Sequence, residues 1–156
     1  MIVFTDRELK RAWREAYSAF EIANKKTNAH RLLLFYAIET GLKAILLRNN
    51  AKTDSENLED FFVDAGGGKK SGHDLNNLMD CLKVGKEYRL DSRIHLYALK
   101  QPISSPKQRK TGRGDWANCG ELNQVWRYGA QAKNPSDAEL ETQLLEIQKW
   151  IEGELK

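Results

Sequence analysis

Along most of this chain apolar residues recur three and four positions apart, and the pattern lapses in one long stretch. Leu9, Trp13, Ala16, Tyr17, Phe20 and Ala23 trace one side of an amphipathic helix, predicted over about Asp6 to Lys26 with a charged outer face. Thr5-Asp6-Arg7-Glu8 in front of it is a capping box, in which hydroxyl and carboxylate each satisfy a backbone amide that lacks a helical partner. A second helix is predicted from about Ala29 to Arg48, with Asn28 as its cap. Its apolar residues run almost all the way round, from Leu32 to Leu47. A helix of that kind is covered by neighbours on most sides, so this one is the expected spine of the fold. Gly41 in its middle costs about 1 kcal/mol of helix propensity relative to Ala. The expected return is a close approach by another helix. Glu39 and Lys43 are spaced for an ion pair one turn apart.

The pattern then weakens. Residues 50–72 are polar apart from Leu58, Phe61, Phe62 and Val63, which suit one short helix. Gly66-Gly67-Gly68-Lys69-Lys70-Ser71-Gly72 superficially suggests a phosphate loop. It fails the GxxxxGK[ST] spacing and has no preceding strand, so a flexible linker is the expectation. Asp74 is placed to cap a third helix, about Leu75 to Val84. Residues 85–115 lose helical periodicity. Arg93 to Leu99 fits a strand or a helical turn equally, and Lys100 to Asp115 has the composition of an exposed loop. Helicity is predicted to resume near Trp116 and to end at Gly129 as a C-cap. Ser136-Asp137-Ala138-Glu139 is a second capping box, opening a last helix with Leu140, Leu144, Ile147, Trp150, Ile151 and Leu155 on one stripe. The predicted fold is all-α: one domain over 1–156, an up-and-down bundle of four to five helices, with an irregular basic insertion at about 85–117 in which a β-strand is one reading.

Composition narrows the chemistry. The chain has 156 residues, 40% apolar and 30% charged, which is the profile of a folded domain. Its net charge of +3 is unevenly spread: residues 66–114 carry eleven Lys/Arg and four Asp/Glu. Such a basic region suits an acidic partner, nucleic acid being the commonest, or is a solvated lysine-rich loop. The N-terminus shows no basic flank and apolar core of a signal peptide, and no stretch is apolar enough to span a bilayer, so a cytoplasmic protein with no membrane partner is expected. Cys81 and Cys119 make no disulfide scaffold and are expected to be reduced. His30, His73 and His95 have no ligand-like spacing, so no metal or other cofactor is expected.

Four stretches carry a family resemblance: Phe35-Tyr-Ala-Ile-Glu-Thr-Gly-Leu-Lys-Ala-Ile-Leu-Leu47, Gly72-His-Asp-Leu-Asn-Asn-Leu78, Val125-Trp-Arg-Tyr-Gly129 and the acidic, Leu-rich C-terminal helix. In order and spacing they resemble the HEPN superfamily, small helical bundles of prokaryotic defence systems, toxin–antitoxin pairs and nucleotidyltransferase partners. The likeness covers about 5–49, 72–84 and 118–156. It implies an antiparallel bundle that often forms a homodimer. It also implies either a metal-independent ribonuclease using an R-x4-6-H pair across a dimer cleft, or a module that binds RNA or a protein partner, such as an antitoxin or effector subunit. The chain departs from the nuclease pattern, because no histidine follows Arg127. One match lies elsewhere, Arg89-x5-His95, of a kind that chance readily supplies in a chain with ten arginines.

The candidate residues follow. Arg89 and His95 are the candidate catalytic pair, one holding a phosphate and the other moving the 2′-hydroxyl proton; otherwise they are surface residues. Lys107, Arg109, Lys110 and Arg113 are candidate phosphate contacts, or part of a solvated insertion. Arg127 with Tyr128 either contacts RNA or pairs with Glu39 or Asp74 inside the bundle, and Lys43 shares both readings. His73 and Asp74 suit a structural role at a helix start. Trp13, Trp126 and Trp150 fall on core stripes, whereas Trp116 is a candidate to stack a base. Three functions remain: RNA or partner binding without catalysis, a ribonuclease built on Arg89 and His95, and a purely structural interaction subunit.

Overall fold

A computed structural model describes residues 3–50, 58, 72–97 and 116–155. Five α-helices lie in these residues: α1 (Asp6–Glu21), α2 (Asn28–Asn49), α3 (Leu75–Cys81), α4 (Leu122–Arg127) and α5 (Asp137–Leu155). Three short strands join them, β1 (Arg93–Leu96), β2 (Trp116–Asn118) and β3 (Ala132–Asn134), forming one antiparallel sheet in the order β2-β1-β3. The fold is therefore mostly helical with a small sheet, and the all-α expectation is corrected on that point. The region expected to be an insertion supplies β1 and β2. The third strand, β3, was not foreseen. The short helix expected near Leu58 lies outside the described residues except for Leu58, which is buried.

Helix α2 is the spine that its composition requires. It packs against α1, α3, α4 and α5, and no residue from Leu34 to Leu47 is exposed. At Gly41 the approach is tight: a Cβ there would stand 2.9 Å from Ile151 Cγ2 and 2.9 Å from Trp13 Cδ1. The missing side chain thus lets α1 and α5 close on α2 at one point. The Trp13 indole N–H donates to Gln148 Oε1 at 2.8 Å there, joining α1 to α5 inside the core. Both capping boxes form. Glu8 Oε2 accepts the Thr5 amide at 2.8 Å, and Glu139 Oε2 accepts that of Ser136 at 3.0 Å.

Several boundaries depart from expectation for local reasons. Helix α1 stops at Glu21 rather than Lys26, because the Lys26 ammonium folds back onto the carbonyls of Phe20 and Ala23, which end the helix. The N-cap of α2 is Thr27, not Asn28; the Thr27 amide donates to His30 Nδ1 at 3.1 Å, and Asn28 instead donates to the Ala130 carbonyl. Helix α3 ends early at Cys81. Lys83 takes a left-handed φ of 55°, the Val84 amide reaches the Met79 carbonyl and the Lys83 amide reaches that of Asp80, which is a Schellman ending. Gly129, at φ 78°, closes α4 in the same way through Ala130 N and Val125 O. Helix α4 is short because Trp116–Asn118 is a strand rather than a helical start.

Candidate nucleic-acid interface

Arg93-Ile94-His95-Leu96-Tyr97 alternates polar and apolar, and pairing turns the alternation into two faces. Ile94 lies opposite Ala117, and both are buried against the helices. Arg93 lies opposite Asn118 and His95 opposite Trp116, so these four point the other way. Across the other edge, His95 pairs with Asn134 and Leu96 with Ala132, leaving Lys133 as the extra residue of a bulge. A bulge re-aims the side chain it frees. Here Lys133 Nζ comes to 5.8 Å from the ring centre of Tyr97, a residue 53% exposed. Tyr97 continues the pairing by donating its amide to the Gln131 carbonyl at 3.0 Å.

The outer face thus gathers three rings and two cations. The His95 ring lies 3.4 Å from that of Trp116, tilted by 42°, and the Arg93 guanidinium sits 4.3 Å from the Trp116 ring centre. A cation over a half-buried indole such as this one is worth about 0.5–2 kcal/mol. The face clusters π-systems beside positive charge, a combination that can contact bases and phosphates.

A buried polar network holds the sheet against the helices. Asp74 caps α3 by accepting from the amides of Asn76 at 3.0 Å and Asn77 at 3.3 Å. The Asn76 side chain exchanges two hydrogen bonds with the Leu90 backbone, both 2.9 Å, and thereby fixes the chain three residues before β1. Just beyond β2, Cys119 donates its thiol proton to Asp74 Oδ1 at 3.1 Å. Burial first, then the hydrogen bond and charge of Asp74, push that thiol up to about 12, so it is a structural donor rather than a nucleophile. Asp137 adds a third anchor, accepting from Trp126 Nε1 at 2.8 Å and from the Ala132 amide in β3 at 3.2 Å.

The two candidate catalytic residues have separate partners. Arg89, after a 3-10 turn at Lys86–Tyr88, pairs with Asp80 at 2.6 Å on the surface. His95 stands in the ring cluster, and no hydrogen bond joins it to Arg89. Of the two readings of Arg127, the pairing with Glu39 or Asp74 inside the bundle does not form: the residue is exposed and donates to the Tyr36 hydroxyl. The hydrogen bonds it gives to Tyr36, and then Tyr128, hold its guanidinium above its ordinary value. Glu39 is already taken. It is 6% exposed, and its Oε1 accepts Lys43 Nζ at 2.5 Å and contacts His73 Nδ1 at 3.0 Å. Lys43 therefore has the structural partner expected of it. Lys107, Arg109, Lys110 and Arg113 lie outside the described residues, as does the glycine-rich run 66–71.

Sequence reasoning named His95 and Trp116 separately and missed Arg93, Tyr97 and Lys133. The period-two alternation at 93–97 was the available signal. A separate cleft of about 390 Å³ opens beside α1, where Phe4, Leu9, Ala12 and Thr40 make a largely apolar wall. Among the described residues, no three His, Cys, Asp or Glu side chains gather as metal ligands, and no helix is long and apolar enough to cross a membrane. No protein-family model matches the chain, and no curated protein or solved structure matches it.

Proposed function

We propose that this chain is a HEPN-like helical-bundle protein that binds RNA on the outer face of its small sheet and does not cut it. In this reading it works in a prokaryotic defence or toxin–antitoxin type system, in the cytoplasm, as a homodimer or beside an antitoxin or effector subunit. The observation that carries RNA binding is the shared face of Arg93, His95, Tyr97, Trp116 and Lys133. The sequence supports it: residues 98–115, which connect β1 to β2, hold five Lys/Arg and one acidic residue. Cations give affinity by displacing counterions from phosphates, and rings give contact with bases. The engagement of Arg89 with Asp80 supports binding over cleavage.

Filter binding at low and high salt tests the reading. Affinity is expected to fall steeply with salt, and charge reversal in an Arg93→Glu, Lys133→Glu double variant is expected to weaken it at least tenfold. Affinity that ignores salt and charge reversal excludes phosphate recognition at this face.

The apolar cleft beside α1 favours a second reading, an interaction subunit whose cleft docks another protein surface. Sedimentation of the protein beside a Phe4→Asp variant tests it through self-association. Loss of an oligomer in the variant supports this reading, and identical behaviour counts against it.

A further inference from the structure

We propose that the sheet face selects an unpaired RNA strand by seating two neighbouring bases, one on Tyr97 and one on Trp116, with Arg93 and Lys133 taking their phosphates. This rests on the RNA-binding reading above and adds the class of strand and its register. The argument is geometric. Tyr97 lies two residues along β1 from His95, and Trp116 lies opposite His95 on the neighbouring strand. Strand rise and strand spacing set the backbone positions that carry the two rings about 8 Å apart, from ~3.3 Å per residue along β1 and ~4.8 Å across the pair. Stacked nucleotides rise only about 3.4 Å per step. Two bases can meet these rings only when pulled apart from each other, which an unpaired strand allows and a duplex forbids.

Charge follows the same register. Each ring has its own cation, Arg93 at 4.3 Å from the Trp116 centre and Lys133 at 5.8 Å from the Tyr97 centre. His95 also lies against the Trp116 ring, with the two ring centres 3.4 Å apart. Arg93 is exposed and its strand partner Asn118 is uncharged, so the guanidinium is able to leave the ring for a phosphate as a base takes its place. Two phosphate contacts on a single strand correspond to a slope of log affinity against log salt near −1.4.

Fluorescence anisotropy on the full chain tests this, using labelled oligouridylate of about 10 nucleotides, within the usual site size, and a blunt RNA duplex of equal length. The single strand is expected to bind at least tenfold tighter than the duplex. Tyr97→Ala and Trp116→Leu are each expected to weaken the single strand by about 5- to 150-fold, the usual range for one lost base stack, and so to narrow the preference for strand over duplex. Oligouridylate is also expected to quench tryptophan emission, and the part of the quenching that Trp116→Leu removes reports Trp116, since Trp13 and Trp126 are buried and Trp150, half-buried like Trp116, lies on the C-terminal helix. Where Trp116→Leu does not fold, Tyr97→Ala decides. Equal affinity for strand and duplex, or ring variants that melt and bind like the unaltered protein while charge reversal still weakens binding, overturns base stacking and leaves RNA binding standing. Absence of salt-dependent binding to either probe overturns both.

Discussion

Trp13 and Gln148 meet across the point where three helices converge, the indole N–H giving its proton to the amide oxygen at 2.8 Å over the vacant side of Gly41. Gln148 is 1% exposed, so no solvent replaces it. Gln148→Leu strands a buried N–H and is expected to cost about 1–3 kcal/mol. Urea unfolding of the variant checks this; an unchanged midpoint means that the indole finds another acceptor.

Gly41→Ala sets two effects against each other. Alanine gains about 1 kcal/mol of helix propensity. Its Cβ must also enter space 2.9 Å from Ile151 and Trp13, and overpacking a tight core costs about 1–3 kcal/mol. The neighbours are a β-branched side chain and a hydrogen-bonded indole, neither free to swing away. A lower melting temperature is therefore expected, and a higher one would show that α5 shifts at little cost.

The two Schellman endings respond in opposite directions. Lys83 holds a left-handed φ of 55° that an L side chain adopts at a cost of about 1–2 kcal/mol. Lys83→Gly relieves it, and after the entropy glycine adds to the unfolded chain a gain of up to about 1 kcal/mol is expected. Gly129→Ala is expected to lose about 1 kcal/mol, through backbone strain alone, because a Cβ there meets nothing within 4 Å. Thermal melts of the two variants should move apart.

Cys119 sets an alkaline limit. Its folded value of about 12 stands above the ordinary thiol value of 9.0, so the folded state keeps a proton that the unfolded chain releases. The stabilisation is full below pH 9 and declines as the pH rises toward 12. Urea midpoints from pH 7 to pH 10.5 are expected to fall more steeply in the native protein than in Cys119→Ala. At neutral pH, alkylation is expected to reach the half-buried Cys81 first and Cys119 only on unfolding.

RNA incubated with the protein in a chelating buffer is expected to remain intact on a denaturing gel. Cleavage that disappears in His95→Ala would instead make His95 catalytic.

How much of this was legible beforehand depends on how far each signal lies from its partner. Helix α2 announced itself because twelve apolar residues on all sides leave no solvent face, and both capping boxes are complete within four residues. The sheet was hidden. Strands of three and four residues hold too few positions for alternation to differ from a helical turn, and β2 runs straight into Cys119 and α4. Lys83 gave no sign of a left-handed ending, whereas Gly129 did. The contact of His95 with Trp116 depends on a register between segments twenty residues apart, which no local pattern encodes. A pairing of Arg127 with Glu39 stayed open as one reading because nothing in the sequence says that Lys43 and His73 fill that carboxylate first.

The bulge at Lys133 bears on aggregation. Outer strands with unpaired amides and carbonyls invite a second chain to add its backbone. Here those strands, β2 and β3, are three residues long, and one is broken by a kink bearing a lysine. Among the described residues, a ladder so short and so interrupted offers an incoming strand few bonds against the entropy of ordering it, which makes this sheet a poor template for a further strand.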